Sequence, residues 1–264
     1  MRTHIIIALC AVAALTSSGA AKGVLTLENG EEHKGVISWS AREKAYVMKV
    51  GKIEQQFKET DVAKVDIEKP AAIDAAVAQV ANGQGAAAIP ALQKIVSDYA
   101  HLQWDKVAGR YLAEAYVAAE KPSDALKVCD DIIKGDPTAA YRGDLAPAYW
   151  SAFLSLNRRS VFERNLEKAA KCEDRFARGA ALIMRGDIAM KDGNESPDAC
   201  KKALTDGYLR VVYLYTDPEV AGKLQPEALY KAAHCFEKLS QSGRADFMRT
   251  ELKRTYASSP WANK

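Results

Sequence analysis

The feature that most constrains this chain is a pair of amphipathic helices that recurs about five times after Pro70. In each copy, apolar residues return at helical spacing, a turn follows, and a second apolar stripe comes next. The clearest copy extends from Lys106 to about Ala139, with its turn at Pro122. One such pair cannot bury its apolar stripes alone, whereas stacked pairs share a continuous core. The sequence therefore predicts a helical repeat array over residues 70–264.

The internal spacing of two copies resembles the tetratricopeptide repeat. Tyr116 precedes the small residue Ala125 by nine positions, and Pro137 follows Ala125 by twelve. Phe236 precedes Ala245 by the same nine positions. The resemblance implies an array of about five helix pairs whose first helices line a concave surface. It also implies that segments of partner proteins bind on that surface.

Residues 22–69 alternate with a period of two instead. Five short apolar runs are separated by turn residues, and Asn29-Gly30 is a strong hairpin signal. The predicted strands cover residues 24–27, 35–40, 45–50, 53–57 and 62–67. Five short strands in so few residues predict a small, strongly bent β-barrel, which resembles Sm-like barrels. The expected fold class is therefore α+β, mainly α, with Pro70 as the boundary because proline cannot continue a strand.

The first residues predict a secretory signal peptide over residues 1–21. Arg2 provides a basic start, Ile5 to Leu15 are apolar, and small residues follow up to Ala21. The apolar run is shorter than the ~20 residues that cross a bilayer, although an uncleaved anchor is the alternative. After cleavage we expect a periplasmic or secreted protein without a membrane segment.

Composition and motifs argue against several classes of function. The chain has 37 basic and 34 acidic residues, whereas nucleic-acid binders usually carry a strongly basic domain. We find no phosphate-binding loop, hydrolase elbow or zinc-protease motif. His234 and Glu237 lie one helical turn apart, but a metal site would need a third ligand. We therefore expect no enzyme activity, no catalytic residue, no cofactor and no metal.

The cysteines leave two alternatives open. Cys129, Cys172, Cys200 and Cys235 follow the signal segment and lie on different predicted helices. They are either buried free thiols, which behave as small apolar side chains, or include a disulfide pair, which export would permit.

Local signals predict where some helices begin and end. Ser160 and Glu163 have the spacing of a capping box at a helix start. Ser196-Pro197 predicts another start, because serine caps the helix and proline suits its first position. The helix after Pro197 is expected to be long and to reach Tyr215, before Asp217-Pro218 ends it.

The expected function is that of an exported scaffold or adaptor that binds other proteins of the bacterial cell envelope. The tetratricopeptide resemblance places inward-facing positions at candidate partner-binding residues, namely Arg110, Glu114, Ser151, Tyr230 and His234. The alternative is an accessory protein in which the strand domain binds a ligand or the cell wall. Exposed Trp39 and Tyr46 would favour that alternative, and burial of both would weaken it.

Overall fold

The structure, a computed structural model, describes residues 19–264. The predicted signal segment, up to residue 18, lies outside the described residues. The protein is mainly helical, with a five-stranded antiparallel sheet N-terminal to the helices. This part of the predicted fold class is confirmed. None of the helices in residues 19–264 combines the length and apolar composition that a membrane crossing requires.

The sheet is built from five consecutive strands in the order β4-β3-β2-β1-β5. All neighbouring strands pair antiparallel, and β4 and β5 lie at the two ends of this order. The turn between β1 and β2 contains Gly30 at φ 85°, a backbone conformation that glycine adopts without strain. The strands are β1 (Ala21–Leu27), β2 (Glu32–Ser40), β3 (Ala45–Val50), β4 (Ile53–Lys58) and β5 (Val62–Ile67).

The helices follow Pro70. They are α1 (Ile73–Ala81), α2 (Gly85–Asp98), α3 (Trp104–Ala118), α4 (Pro122–Gly135), α5 (Ala146–Ser155), α6 (Arg159–Lys171), α7 (Arg175–Asp192), α8 (Pro197–Ala203), α9 (Leu209–Leu214), α10 (Pro218–Lys238) and α11 (Ser242–Thr255). Short 3-10 turns occur at Glu59–Asp61, Pro137–Ala140 and Pro260–Asn263, and a π-helical turn occurs at Leu204–Tyr208.

The chain divides into two compact units. The strand unit contains the described residues up to Lys69 together with Val96–Asp105. The helical unit contains Pro70–Ile95 and Lys106–Lys264. A segment that follows the strands by almost thirty residues thus belongs with them.

The segment Val96–Asp105 completes the core of the strand unit. Leu102 is fully buried in the same apolar cluster as the strand residues Leu25 and Ile37. The indole Nε1 of Trp104 donates a hydrogen bond to the carbonyl oxygen of Ile67 at 3.0 Å. Because these contacts bury apolar surface and satisfy a backbone acceptor, they stabilise the sheet.

Trp39 and Tyr46, whose exposure would favour ligand binding by the strand domain, are both buried in this unit. Trp39 stacks on the ring of His101 with centroids 4.2 Å apart, and it meets Tyr46 edge-on at 4.9 Å. The Tyr46 hydroxyl donates to the carbonyl oxygen of His101 at 3.3 Å. Both side chains are largely shielded from solvent and do not form an open aromatic surface.

The predicted helix starts have different outcomes. The Ser196 prediction is confirmed, since its hydroxyl accepts a hydrogen bond from the backbone N–H of Ala199. The prediction of a capping box at Ser160 is wrong, because α6 begins at Arg159 and no side chain caps its first turn. Ser160 already lies within the first turn, where its carbonyl oxygen accepts a bond from Arg164.

The expected long helix from Pro197 towards Tyr215 is confirmed as a helical segment that extends to Leu214, but it is not α-helical throughout. The segment consists of α8, the π-helical turn Leu204–Tyr208 and α9. A π turn contains one residue more than an α turn, so it rotates the side chains that follow it. The predicted end is confirmed, because Asp217 caps the start of α10 by accepting a bond from Glu219.

We predict that Leu102→Ala destabilises the strand unit by about 2–4 kcal/mol, because it leaves a cavity in the core. Denaturant unfolding followed by tryptophan fluorescence would measure this, since Trp39 and Trp104 belong to that unit. Leu214→Ala is the matched control, because Leu214 is exposed. Equal effects of the two substitutions would contradict the role assigned to Val96–Asp105.

Candidate functional site

Four charged side chains of the helical unit form a continuous series that we call the Asp144 chain. The Nη1 atom of Arg110 on α3 lies 2.7 Å from Oδ2 of Asp144. The ammonium of Lys223 on α10 lies 3.2 Å from Oδ1 of the same carboxylate. Oε1 of Glu114 lies 3.5 Å from Nε of Arg110. Asp144 therefore links α3 to α10, which are remote in sequence.

Local structure explains how this chain is positioned. Arg110 and Glu114 are four residues apart on α3, so they project from the same face. The guanidinium of Arg110 also lies over the ring of Tyr111, 3.9 Å from its centroid, which restricts its rotamers. Asp144 lies just before α5 begins, where its carboxylate reaches both α3 and α10.

A second series, the Asp187 chain, consists of Tyr208, Asp187, Lys231 and Glu227. The ammonium of Lys231 lies 2.7 Å from Oδ2 of Asp187 and 2.6 Å from Oε1 of Glu227. The hydroxyl of Tyr208 donates to Oδ1 of Asp187 at 2.8 Å. One cation and one hydroxyl thus satisfy two carboxylates contributed by α7 and α10.

Burial makes these contacts strong. Only 21% of the Lys231 side chain and 22% of the Asp187 side chain are exposed. Burial lowers the pKa of Lys231, but Glu227 and Asp187 outweigh it and hold that pKa above its usual value. Burial and the Asp187 charge raise the pKa of Tyr208, so its hydroxyl stays protonated and donates.

Glu114 connects the two series electrostatically. Burial raises the pKa of its carboxyl to about 7, against the lowering effect of Arg110, and the nearby charges of Asp144 and Glu227 raise it further. Arg110 cannot fully compensate Glu114, because Arg110 also pairs with Asp144 at shorter range. We call the eight residues of the two series together the charged face.

The predicted partner-binding residues are distributed unevenly around this face. Arg110 and Glu114 belong to it. Tyr230 lies next to Lys231 and packs on the ring of Trp261, with centroids 5.3 Å apart. His234 pairs instead with Glu195 at 3.7 Å. Ser151 lies on α5, where its carbonyl oxygen accepts a bond from the Ser155 hydroxyl.

Sequence analysis did not identify the other members of the charged face. One signal was available: Glu227 and Lys231 have the four-residue spacing of a helical ion pair. Asp144, Asp187 and Lys223 carry no comparable local signal, since their partners are 21 to 79 residues away in the sequence. Their role depends on the packing of the helices.

Two hollows occur away from the charged face. One, of about 630 Å³, lies in the strand unit and is lined by residues that include Lys22, Lys34, Lys49, Asp66 and Glu68. The other, of about 670 Å³, lies beside α7 and α8 and is lined by residues that include Arg185, Asp192, Lys202, Asp206 and Arg210. Both carry charges of opposite sign close together, as ordinary hydrated surfaces do.

The chemistry available to the charged face is ion pairing. Within residues 19–264, no group of three histidine, cysteine, aspartate or glutamate side chains is placed to hold a metal ion. The charged face offers carboxylates, ammonium groups and one guanidinium that already pair with one another. It can therefore exchange or share ion pairs with charged side chains of a binding partner.

We predict that Lys231→Met destabilises the helical unit by about 3 kcal/mol, because it leaves the carboxylates of Asp187 and Glu227 without their cation. Chemical denaturation followed by far-ultraviolet circular dichroism would measure the loss. Lys201→Met is the control, since Lys201 forms an exposed pair with Asp198 and its removal should cost less than about 0.5 kcal/mol. A comparable loss in both variants would contradict the importance of the Asp187 chain.

A second prediction concerns pH. The pKa of Glu114 is raised to about 7 in the folded protein, above the ordinary glutamate pKa of 4.5, so the folded state binds more protons than the unfolded state between these two pH values. The contribution of Glu114 to stability is therefore present below pH 4.5 and is lost as the pH rises through about 7. Glu114→Gln should gain stability relative to the parent protein on going from about pH 5 to about pH 8.

Urea unfolding midpoints of both proteins at the two pH values would measure this shift. The change should be modest, because 37% of the Glu114 side chain is exposed and water screens its charge. Glu173→Gln, at an exposed position, is the control. A parallel pH dependence of the parent protein and Glu114→Gln would show that Glu114 titrates normally.

Comparison of the chain with protein-family models, with curated proteins and with solved structures finds no match. The function of the charged face is therefore inferred from its own residues and geometry.

Proposed function

We propose that the protein is an exported, non-enzymatic adaptor whose helical unit binds a segment of another cell-envelope protein across the charged face. In this proposal the helices form tetratricopeptide-like pairs, and residues 22–69 form a small Sm-like barrel. The N-terminal basic and apolar residues up to Ala21 direct export, and they are removed before the protein acts.

The order of the helices and the burial of the spaced residues support the repeat interpretation. With α8 and α9 taken together, the helices form five consecutive pairs. Tyr116 and Ala125, which have the family spacing, are both buried, and so are Phe236 and Ala245. An aromatic ring beside a small residue lets the two helices of a pair approach closely, which is the physical reason for the spacing.

The observation that carries the proposal is the combination of pairing and exposure on the charged face. Its ion pairs join side chains from α3, α7 and α10, which are first helices of the proposed pairs, and Asp144, which lies just before another first helix, α5. At the same time 37% of Glu114 and 56% of Lys223 remain exposed. Such side chains are held in place yet can still contact the charges of an extended partner segment.

The alternative is a ligand-binding or wall-binding role for the strand unit. The hollow lined by Lys22, Lys34 and Lys49 is the feature that favours it, since these lysines outnumber the two carboxylates of the same lining, Asp66 and Glu68, and would attract an anion. Burial of Trp39 and Tyr46 weakens it, because the aromatic rings expected to contact a ligand are packed in the core. We therefore prefer the adaptor role.

Site-specific photo-crosslinking in cells would test the proposal. A photoreactive phenylalanine analogue would replace Tyr230 beside the charged face, and in separate proteins Phe247 on α11 and Ile53 on β4. We expect a discrete protein adduct from position 230, because a bound segment would lie over Lys231. Phe247 and Ile53 are both strongly exposed, so they control for random collision.

The outcomes separate the two roles. Adducts from position 53 alone would show that the partner binds the strand unit and not the charged face. Adducts of equal yield at all three positions would indicate nonspecific contact. Lys223→Ala should reduce the adduct at position 230 several-fold while the helical circular dichroism stays unchanged, because Lys223 is largely exposed. An undiminished adduct would exclude the Asp144 chain from binding.

A further inference from the structure

Two of the cysteines meet in the interior of the helical unit. Cys200 on α8 and Cys235 on α10 are both fully buried. Their helices pack against each other, and Glu195 lies beside both cysteines: its carbonyl oxygen accepts from the Cys200 thiol, and its carboxylate pairs with His234, the residue before Cys235. After burial, Cys200 is the neighbour that most raises the pKa of Cys235, as expected for two thiols that lie close together.

A third sulfur atom lies beside the pair. The Sγ atom of Cys235 is 3.6 Å from the Sδ atom of Met190 on α7, and the thiol of Cys200 faces the carbonyl oxygen of Glu195 at 3.8 Å. No ion pair or strong hydrogen bond holds either thiol in its present rotamer. Rotation of either side chain would therefore break only these weak sulfur contacts.

We propose that Cys200 and Cys235 are a disulfide-forming pair that links α8 to α10. The other two cysteines lie on other elements. Cys129 is on α4, and Cys172 follows α6, where its thiol donates to the carbonyl oxygen of Ala169 at 3.1 Å. If the chain enters an oxidising compartment, the two cysteines that form a disulfide would therefore be Cys200 and Cys235.

Formation of the bond requires a disulfide oxidant, such as oxidised glutathione. One cysteine thiolate attacks a sulfur atom of the oxidant, forms a mixed disulfide and releases one thiolate of the oxidant. The second cysteine thiolate then attacks the protein sulfur of the mixed disulfide and releases the other. Two electrons pass to the oxidant, and the two protons of the cysteine thiols end on the two released glutathione molecules.

The environment of the pair determines when this happens. Burial raises the pKa of Cys235 to about 12, and the neighbouring Cys200 raises it further, so little thiolate exists near neutral pH in the folded protein. Both thiols are also shielded from solvent. Exchange should therefore be slow in the folded state and fast during folding, when the cysteines are accessible.

The bond would act directly beneath the charged face. Cys235 follows Lys231 by one helical turn on α10, and Cys200 precedes the π-helical turn that carries Tyr208. A link between α8 and α10 would restrain the two elements that hold Tyr208 and Lys231 around Asp187. The pair is thus placed to set the rigidity of the Asp187 chain.

Oxidative refolding of the full chain would test the inference. Denatured, reduced protein is refolded in reduced and oxidised glutathione, quenched with acid, alkylated and digested with trypsin. We expect one crosslinked peptide that joins DGNESPDACK, with Cys200, to AAHCFEK, with Cys235. Alkylated Cys129 in the same digest is the internal control. Alkylation of both Cys200 and Cys235, or a crosslink to Cys129 or Cys172, would overturn the proposal.

Thermal unfolding provides a second, independent measurement. The oxidised protein should melt about 5–10 °C above the reduced protein, because the bond restricts the unfolded chain between residues 200 and 235. The double variant Cys200→Ala, Cys235→Ala should lose this redox difference, and Cys129→Ala should keep it. An unchanged melting temperature on oxidation, with the crosslink present, would show that the bond strains the fold and would contradict a native pair.

This inference does not rest on the adaptor role. The refolding experiment depends on the thiols alone, so its failure would leave the photo-crosslinking result unaffected. Occupancy of the bond in cells does depend on the proposed export, because reducing compartments keep thiols reduced.

Discussion

The helical unit depends most on the ion pairs that the ammonium group of Lys231 forms. It neutralises Asp187 on α7 and Glu227 on its own helix, at 2.7 and 2.6 Å. Two largely buried carboxylates without a cation would repel each other and would lack solvation, at a cost of several kcal/mol. Their side chains consequently constrain how α7 and α10 pack, and Tyr208 adds a further donor to the same centre.

The π-helical turn Leu204–Tyr208 is what brings Tyr208 to this centre, and two glycines make room for it. A Cβ atom on Gly207 would lie 2.7 Å from the carbonyl oxygen of Leu182, and one on Gly186 would lie 2.4 Å from the Tyr208 ring. Any larger residue at either position would push the turn away from α7. The extra residue of the π turn and the two small positions therefore act together, and both serve the hydrogen bond to Asp187.

Local patterns predicted the elements of the fold well, and long-range packing accounts for what they missed. Alternating residues such as Lys64 and Val65 predicted the strands, and Ser196 predicted a helix start, because these signals act between near neighbours. The π turn escaped prediction, since its benefit arises from contacts with α7. The placement of Val96–Asp105 in the strand unit also escaped, because helical periodicity in α2 and α3 says nothing about which core Leu102 enters. For the candidate site, Arg110 and Glu114 were predicted, whereas Asp144 was not.

The electrostatics of the charged face favour selectivity over raw affinity in the adaptor role that we propose. A partner segment that covered the face would remove water from Asp144 and Lys223, and this costs free energy unless the partner supplies matching charges. A segment with the wrong charges would leave ions unpaired and would bind poorly, whereas a matched one would be aligned by the fixed ion pairs. Glu114 is the member least compensated by its neighbours, because Arg110 is shared with Asp144. A basic side chain of a partner would therefore gain most by pairing with Glu114.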